Sequence, residues 1–227
     1  MTAAAAEPVS IAVGESLTVS GLYLRPTQAT ACYVLSHGAG AGMTHASMAT
    51  LANGLADLGV ATLRYQFPYM ERGSKRPDPP PLCHATVRAA VSMAAQVAGD
   101  LPLIAGGRSF GGRMTSQAQA LAPLPGVRGL AFLAFPLHPA GKPSIERAAH
   151  LADVRIPMLF LQGTRDELAT LDLLQPVVTG LGTRATLKLL ADADHSFHVP
   201  ARSGRKDADV RDEALRTLVA WTQHLQQ

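Results

Sequence analysis

The chain has 227 residues, 47% of them apolar and 16% charged, with a net charge of +3. That length suffices to bury one full central sheet, and the composition excludes a disordered chain. So small a charge, without clustered Lys and Arg, gives no footprint for nucleic acid.

Two cysteines, Cys32 and Cys83, are too few for a disulfide framework, and the scattered histidines do not complete a zinc pattern with them. No metal or other cofactor is expected. The first ten residues lack a basic region, and the alanine run at 3–6 is too short for the apolar core of a signal peptide. No stretch approaches the roughly 18 apolar residues of a membrane span. The expectation is a soluble, cytoplasmic protein, a single domain over 1–227, present as a monomer or small homo-oligomer.

In chain order, residues 9–13 and 17–24 flank Gly14-Glu15 and read as a β-hairpin. Residues 32–36 form a buried-strand pattern that runs into His37-Gly38-Ala39-Gly40-Ala41-Gly42. Residues 45–58 have helical spacing, with Met48, Leu51, Ala52, Leu55 and Leu58 on one face and Gly59 as the stop. Residues 60–65 are a strand, and the proline-rich, charged stretch 66–82 reads as a loop. Helix 85–97, strand 103–107 and helix 110–121 follow. Strand patterns at 129–135, 156–162 and 186–190 then alternate with helices at 168–181, interrupted near Pro176, and 210–225. A hairpin followed by this alternation predicts an α/β fold: a mostly parallel sheet with helices on both faces. The segment 136–155 leaves little room for a cap.

Gly107-Arg108-Ser109-Phe110-Gly111 fits G-x-S-x-G. The pentapeptide alone is a weak signal; its place between a buried strand and a helix is the informative part. A serine there sits on a strained turn with its hydroxyl pushed out of the sheet, and a side chain two residues before or after it would make these positions crowd each other. The helix behind it aims free N–H groups at the site. The competing reading is a tight turn with a capping serine. The glycine-rich loop after residue 36 can turn an N–H inward, so Phe110 and Ala39, with Gly40 as second choice, are the candidate oxyanion donors. His37 is expected to brace this loop.

Asp166 falls just past one strand end and His195 just past the next. Strand ends on one edge of a parallel sheet converge, so both can reach Ser109. The assignment is Ser109 as nucleophile, His195 as base and Asp166 as the acid that orients it. His198, Glu167, Asp192 and Asp194 are competitors; the last two are expected to shape their loop.

With these residues in place, the sequence resembles α/β hydrolases of the dienelactone-hydrolase-like superfamily. It is similar in particular to a small family of testis-expressed hydrolase-like proteins and a subunit of the NSL chromatin complex. The matching pieces are Ser36-His37-Gly38-Ala39-Gly40, Phe67-Pro68-Tyr69-Met70-Glu71, Gly106 to Arg113, Phe135-Pro136-Leu137-His138-Pro139 and Asp194-His195-Ser196. The resemblance implies the α/β-hydrolase fold with little or no cap. Dienelactone hydrolases carry a cysteine in the elbow where this chain has Ser109.

Phe67, Tyr69, Met70, Leu137 and His138 should fall near the catalytic edge, so they are the candidate substrate contacts in a shallow cleft for a small ester or thioester. Arg72, Lys75 and Arg76 in one loop and Arg202, Arg205 and Lys206 in another could meet an anionic group; the plainer reading is solvated charge. The expected activity is that of a serine esterase or thioesterase. The alternatives are a hydrolase-like scaffold for protein interaction and a lid-less peptidase.

Overall fold

The computed structural model describes residues 5–225; Ala3 and Ala4 of the alanine run lie outside them. Eight strands form one sheet in the order β1-β2-β4-β3-β5-β6-β7-β8. β1 (Glu7–Val13) and β2 (Leu17–Leu24) make the antiparallel hairpin, turned at Gly14 with φ 66°. β2 pairs antiparallel with β4 (Val60–Tyr65). From β4 onward, β3 (Ala31–Ser36), β5 (Leu103–Arg108), β6 (Val127–Leu133), β7 (Met158–Gly163) and β8 (Ala185–Leu190) pair in parallel.

Every residue of β3, β4 and β7 is buried, as unbroken apolar strands covered on both faces should be. Alternate residues feed two cores. Cys32 and Val34 face α3 (Pro80–Ala98), α4 (Phe110–Leu121) and α5 (Leu171–Gly180), whereas Tyr33 and Leu35 face α1 (Ala46–Asp57) and α6 (Asp207–His224). Met48, Leu51 and Leu55 of the predicted apolar face lie in that second core. Both cysteines are buried and free, and burial pushes each thiol up to about 12.

Several boundaries depart from the sequence reading by two or more residues, three of them for a clear local reason. The stretch 66–82 is not all loop: α2 (Pro68–Glu71) is a single turn, and α3 begins at Pro80. Proline suits a first helical position because its missing N–H would have no partner there anyway. β6 stops at Leu133 rather than 135 because Ala134 takes φ 59° and turns the chain out of the ladder. α5 starts at Leu171 rather than 168 because Thr170 is still extended, with ψ 141°, so helical dihedrals begin only after it. Between β6 and β7 lies one 3-10 segment, Glu146–Asp153, packed on α4; this is the small insertion expected.

In the first of the two cores an aromatic cluster has Phe160 of β7 4.9 Å from Phe132 and 5.7 Å from Phe135, ring centre to ring centre. Phe160 has no exposed surface. Phe160→Ala should therefore lower unfolding free energy by about 3–5 kcal/mol, as emptying an aromatic site in a packed core does. Guanidinium titration of the two proteins measures it; a loss under about 1 kcal/mol would mean that the sheet is not packed around this ring.

Candidate active site

β5 ends in Gly106, Gly107 and Arg108, and α4 starts at Phe110, so Ser109 alone makes the turn, with φ 49° and ψ −116°. A non-glycine residue in that conformation costs about 1–3 kcal/mol and persists only where its surroundings enforce it. The enforcement comes from β3. A methyl group on Gly107 would lie 2.1 Å from Ser36 Oγ and 2.3 Å from the Ser36 carbonyl oxygen. One on Gly111 would lie 2.4 Å from Ser36 Oγ and 2.5 Å from the His37 carbonyl oxygen. The two glycines are thus required by the neighbouring strand, not, as the sequence reading had it, by each other. Ser36 Oγ donates to the Gly106 carbonyl, and Thr115 Oγ1 donates to the same carbonyl at 3.3 Å, tying β3, β5 and α4 together.

Ser109, His195 and Asp166 come together across 86 and 29 residues of chain. His195 Nε2 lies 2.8 Å from Ser109 Oγ, and His195 Nδ1 lies 2.7 Å from Asp166 Oδ2. The Asp166 carboxylate is buried. It also accepts from Gln162 Nε2 at 2.5 Å and from the Leu168 N–H. A carboxylate so held can accept only from an imidazole N–H, so Nδ1 carries the proton and Nε2 is free to accept from the serine.

The loop bearing His195 is shaped by its neighbours. Asp194 Oδ1 accepts from the Ser196 and His198 N–H groups at 2.7 and 3.0 Å, an Asx-type turn. Asp192 and Phe197 both take positive φ, 59° and 63°. Arg108 Nη2 donates to the His195 carbonyl at 3.4 Å. His198 is exposed and paired with Asp207 at 3.0 Å, so its ring is engaged away from Ser109.

The glycine-rich loop lies against the nucleophile: a Cβ on Gly38 would be 3.9 Å from Ser109 Cβ. His37 Nε2 accepts from the Phe67 N–H at 3.0 Å, and Nδ1 donates to the Gly38 carbonyl at 2.7 Å. Burial pushes the His37 imidazole down to about 4, so it stays neutral in this bracing role. Tyr69 OH donates to the Ala39 carbonyl at 2.9 Å. Among the described residues the N–H groups of Ala39, Gly40 and Phe110 donate to no other group; for Phe110 this is the ordinary state of a first helical N–H.

The expected substrate contacts fare differently. Phe67, Tyr69, Leu137 and His138 are buried. The Phe67 ring packs edge-on against His37 at 5.0 Å and Phe110 at 5.4 Å. These side chains brace the site from behind and offer no surface to a ligand; only Met70 is half-exposed. The open space lies on the other side, a cavity of about 450 Å³ beside His195, lined also by Arg165, Glu167, Leu168 and His198. Arg72 is paired with Asp78, and Arg205 with Glu213, so two of the basic loop residues are already neutralised. Sequence reasoning missed Gln162 and Arg108. A lone amide inside the apolar run 156–162 was the available signal for Gln162.

Two outcomes follow from this geometry. Gly111→Val should impair folding as well as any activity, because its branched side chain meets backbone oxygen; a soluble variant with a parental melting temperature would mean the elbow is not crowded. The depressed His37 imidazole stabilises the fold fully above its unfolded value near 6.5 and loses that contribution as pH falls toward about 4, for a total of about 3 kcal/mol. Urea titrations at pH 7 and pH 4.5 should show a smaller acid loss in His37→Asn than in the parent; equal losses would mean that His37 is not buried neutral.

Residues 29–223 match the family model described as the alpha/beta hydrolase domain. A dienelactone hydrolase from Anabaena variabilis superposes with a TM-score of 0.79 at 20% identity, covering 98% of each chain. A serine hydrolase homologue from Coxiella burnetii gives 0.75 at 22% identity, over 93% of this chain and 97% of that one. A lid-less α/β serine hydrolase from Xanthomonas campestris gives 0.73 at 20% identity, over 96% and 95%. At such identities the likeness speaks to the fold, and the eight-stranded sheet with its N-terminal hairpin is the same in kind. The chain belongs to the α/β-hydrolase domain family.

Proposed function

We propose that the protein is a serine hydrolase cleaving small esters or thioesters through an acyl-serine intermediate. The observation that carries this reading is the unbroken hydrogen-bond chain Ser109–His195–Asp166, with its serine on a strained turn at the start of a helix. In the first step Ser109 Oγ attacks the carbonyl carbon while its proton passes to His195 Nε2, and Asp166 stabilises the resulting imidazolium. The tetrahedral oxyanion is met by the Phe110 N–H and by Ala39 or Gly40, donors without another partner. His195 then gives its proton to the departing alcohol or thiol. Water, activated by the same histidine, releases the acid and restores Ser109.

Several parts of this reading go with it. The enzyme uses no cofactor, comprises a single domain, acts in the cytoplasm as a monomer or small homo-oligomer, and takes a small-molecule substrate without engaging membrane or nucleic acid. Its nearer kin are the testis-expressed hydrolase-like proteins and the related NSL-complex subunit, a placement supported by the motifs around His37, Phe67, Ser109 and His138. The small 3-10 insertion between β6 and β7 supports an open cleft, which favours short acyl groups; the gain of roughly fourfold per added methylene in a closed pocket should stop after a few carbons.

Fluorophosphonate labelling and an acyl-length series of 4-nitrophenyl esters test the proposal. The parent should label, and Ser109→Ala should not. His195→Ala should lower kcat by on the order of 10⁴, close to the serine change, because the three groups act as a unit. Asp166→Asn should cost somewhat less, and His198→Ala should stay near the parent. An unlabelled parent would point to a hydrolase-like scaffold for protein interaction, and loss in His198→Ala with retention in His195→Ala would move the base.

A further inference from the structure

A second set of charges lies one helical turn beyond Ser109 and takes no part in the triad. Arg113 of α4 holds its guanidinium 5.9 Å from the centre of the Phe110 ring. That ring packs edge-on against Phe67 and Tyr69, at 5.4 and 6.2 Å. Arg113 is half-buried, and its Nε is buried without a hydrogen-bond partner. Arg147, also half-buried, belongs to the 3-10 segment packed on the same helix. The segment is fixed there by His150, whose Nε2 lies 2.8 Å from Ser116 Oγ. From α3, His84 meets Gln117 at 3.1 Å.

At this junction of α3, α4 and the 3-10 segment the one carboxylate that bears on the cluster, Asp153, acts on His150 and not on Arg113. Among the described residues neither Arg113 nor Arg147 has an ion-pair partner, whereas Arg72, Lys188 and Arg205 each have a carboxylate. Asp78, on the α3 side, is already engaged by Arg72. Burial lowers the Arg113 guanidinium from its ordinary value, and Arg147 lowers it further. Burial, and then Arg113, push the His150 imidazole down to about 4. Two half-desolvated arginines kept together without a partner are costly, and a bound anion offsets that cost. The planar guanidinium fork fits a carboxylate in particular.

Position says which part of a substrate would meet them. On the serine-hydrolase reading, His195 protonates the leaving group, so that group sits on the side of the cavity lined by Arg165 and His198. The Phe110 ring is no part of that lining, and on the same reading the acyl part extends toward it. We propose that Arg113 and Arg147 form a subsite for a carboxylate carried at the far end of the substrate's acyl group. The inference rests on that hydrolase reading for its place in the reaction, but anion binding itself can be measured without turnover.

The test pairs 4-nitrophenyl hexanoate with the 4-nitrophenyl monoester of adipic acid, equal in length and different in charge. The parent should favour the anionic ester, and 0.5 M salt should shrink the preference, as screening of a half-exposed pair requires. Arg113→Gln should lower the anionic-to-neutral ratio of kcat/KM by roughly tenfold or more, the loss of a charge-assisted contact. Arg147→Gln should lower it less, and Arg113→Lys should keep part of it. A parental ratio near one, or a ratio unmoved by Arg113→Gln because both esters lose equally, overturns the proposal. Calorimetric titration of adipate into Ser109→Ala, with and without Arg113→Gln, reads the site independently. Binding that needs Arg113 supports it, and no binding in the Ser109→Ala protein overturns it. If neither ester releases nitrophenol yet adipate binds through Arg113, the hydrolase reading fails and the anion site stands.

Discussion

The close approach of Ser36 to Gly107 and Gly111 is the constraint on which the rest of the site depends. β3 and β5 are hydrogen-bonded neighbours with Ser36 opposite Gly107, and α4 must leave β5 within a single residue. Only by removing the side chains at 107 and 111 can the helix start so close to β3. The strain this leaves at Ser109, about 1–3 kcal/mol, is carried by the buried ladder on either side of it. The outcome is a hydroxyl held clear of the sheet at the positive end of a helix.

Three histidines near that hydroxyl are told apart by what touches them. His37 is buried, pushed down to about 4, and used at both nitrogens by backbone groups, so it serves as a strut between the glycine-rich loop and Phe67. His198 is exposed and held by Asp207. His195 has one nitrogen on a buried carboxylate and the other on Ser109. Similar side chains thus receive different chemistry from burial and partner alone.

The aromatic side chains divide in a related way. Phe67, Tyr69 and Phe110 form a contiguous wall behind the glycine-rich loop, and Tyr69 adds a hydrogen bond to the Ala39 carbonyl. Rigidity here matters because an oxyanion donor must already point at the developing charge; reorganising it during the reaction would forfeit its benefit. On the reading proposed, the wall holds Ala39 and Gly40 in place.

What the sequence determined by itself is whatever depends on near neighbours in the chain. Short apolar runs located every strand and the 3.6-residue spacing the long helices, the alternation predicted a mostly parallel sheet, and strand-end positions singled out Ser109, Asp166 and His195 as candidates. Those signals are local, or follow from the rule that parallel strand ends converge. The tertiary structure alone decided that Phe67, Tyr69, Leu137 and His138 turn inward and not toward a ligand, that Arg72 meets Asp78, and that Ser36 is what Gly107 and Gly111 accommodate. It also decided that Arg113 and Arg147, 34 residues apart in the chain, come to the one junction of α4 and the 3-10 segment, neither with an ion-pair partner among the described residues. An apolar or basic residue has the same periodicity whether it faces core, cleft or solvent; which neighbour it meets is settled only when distant segments pack.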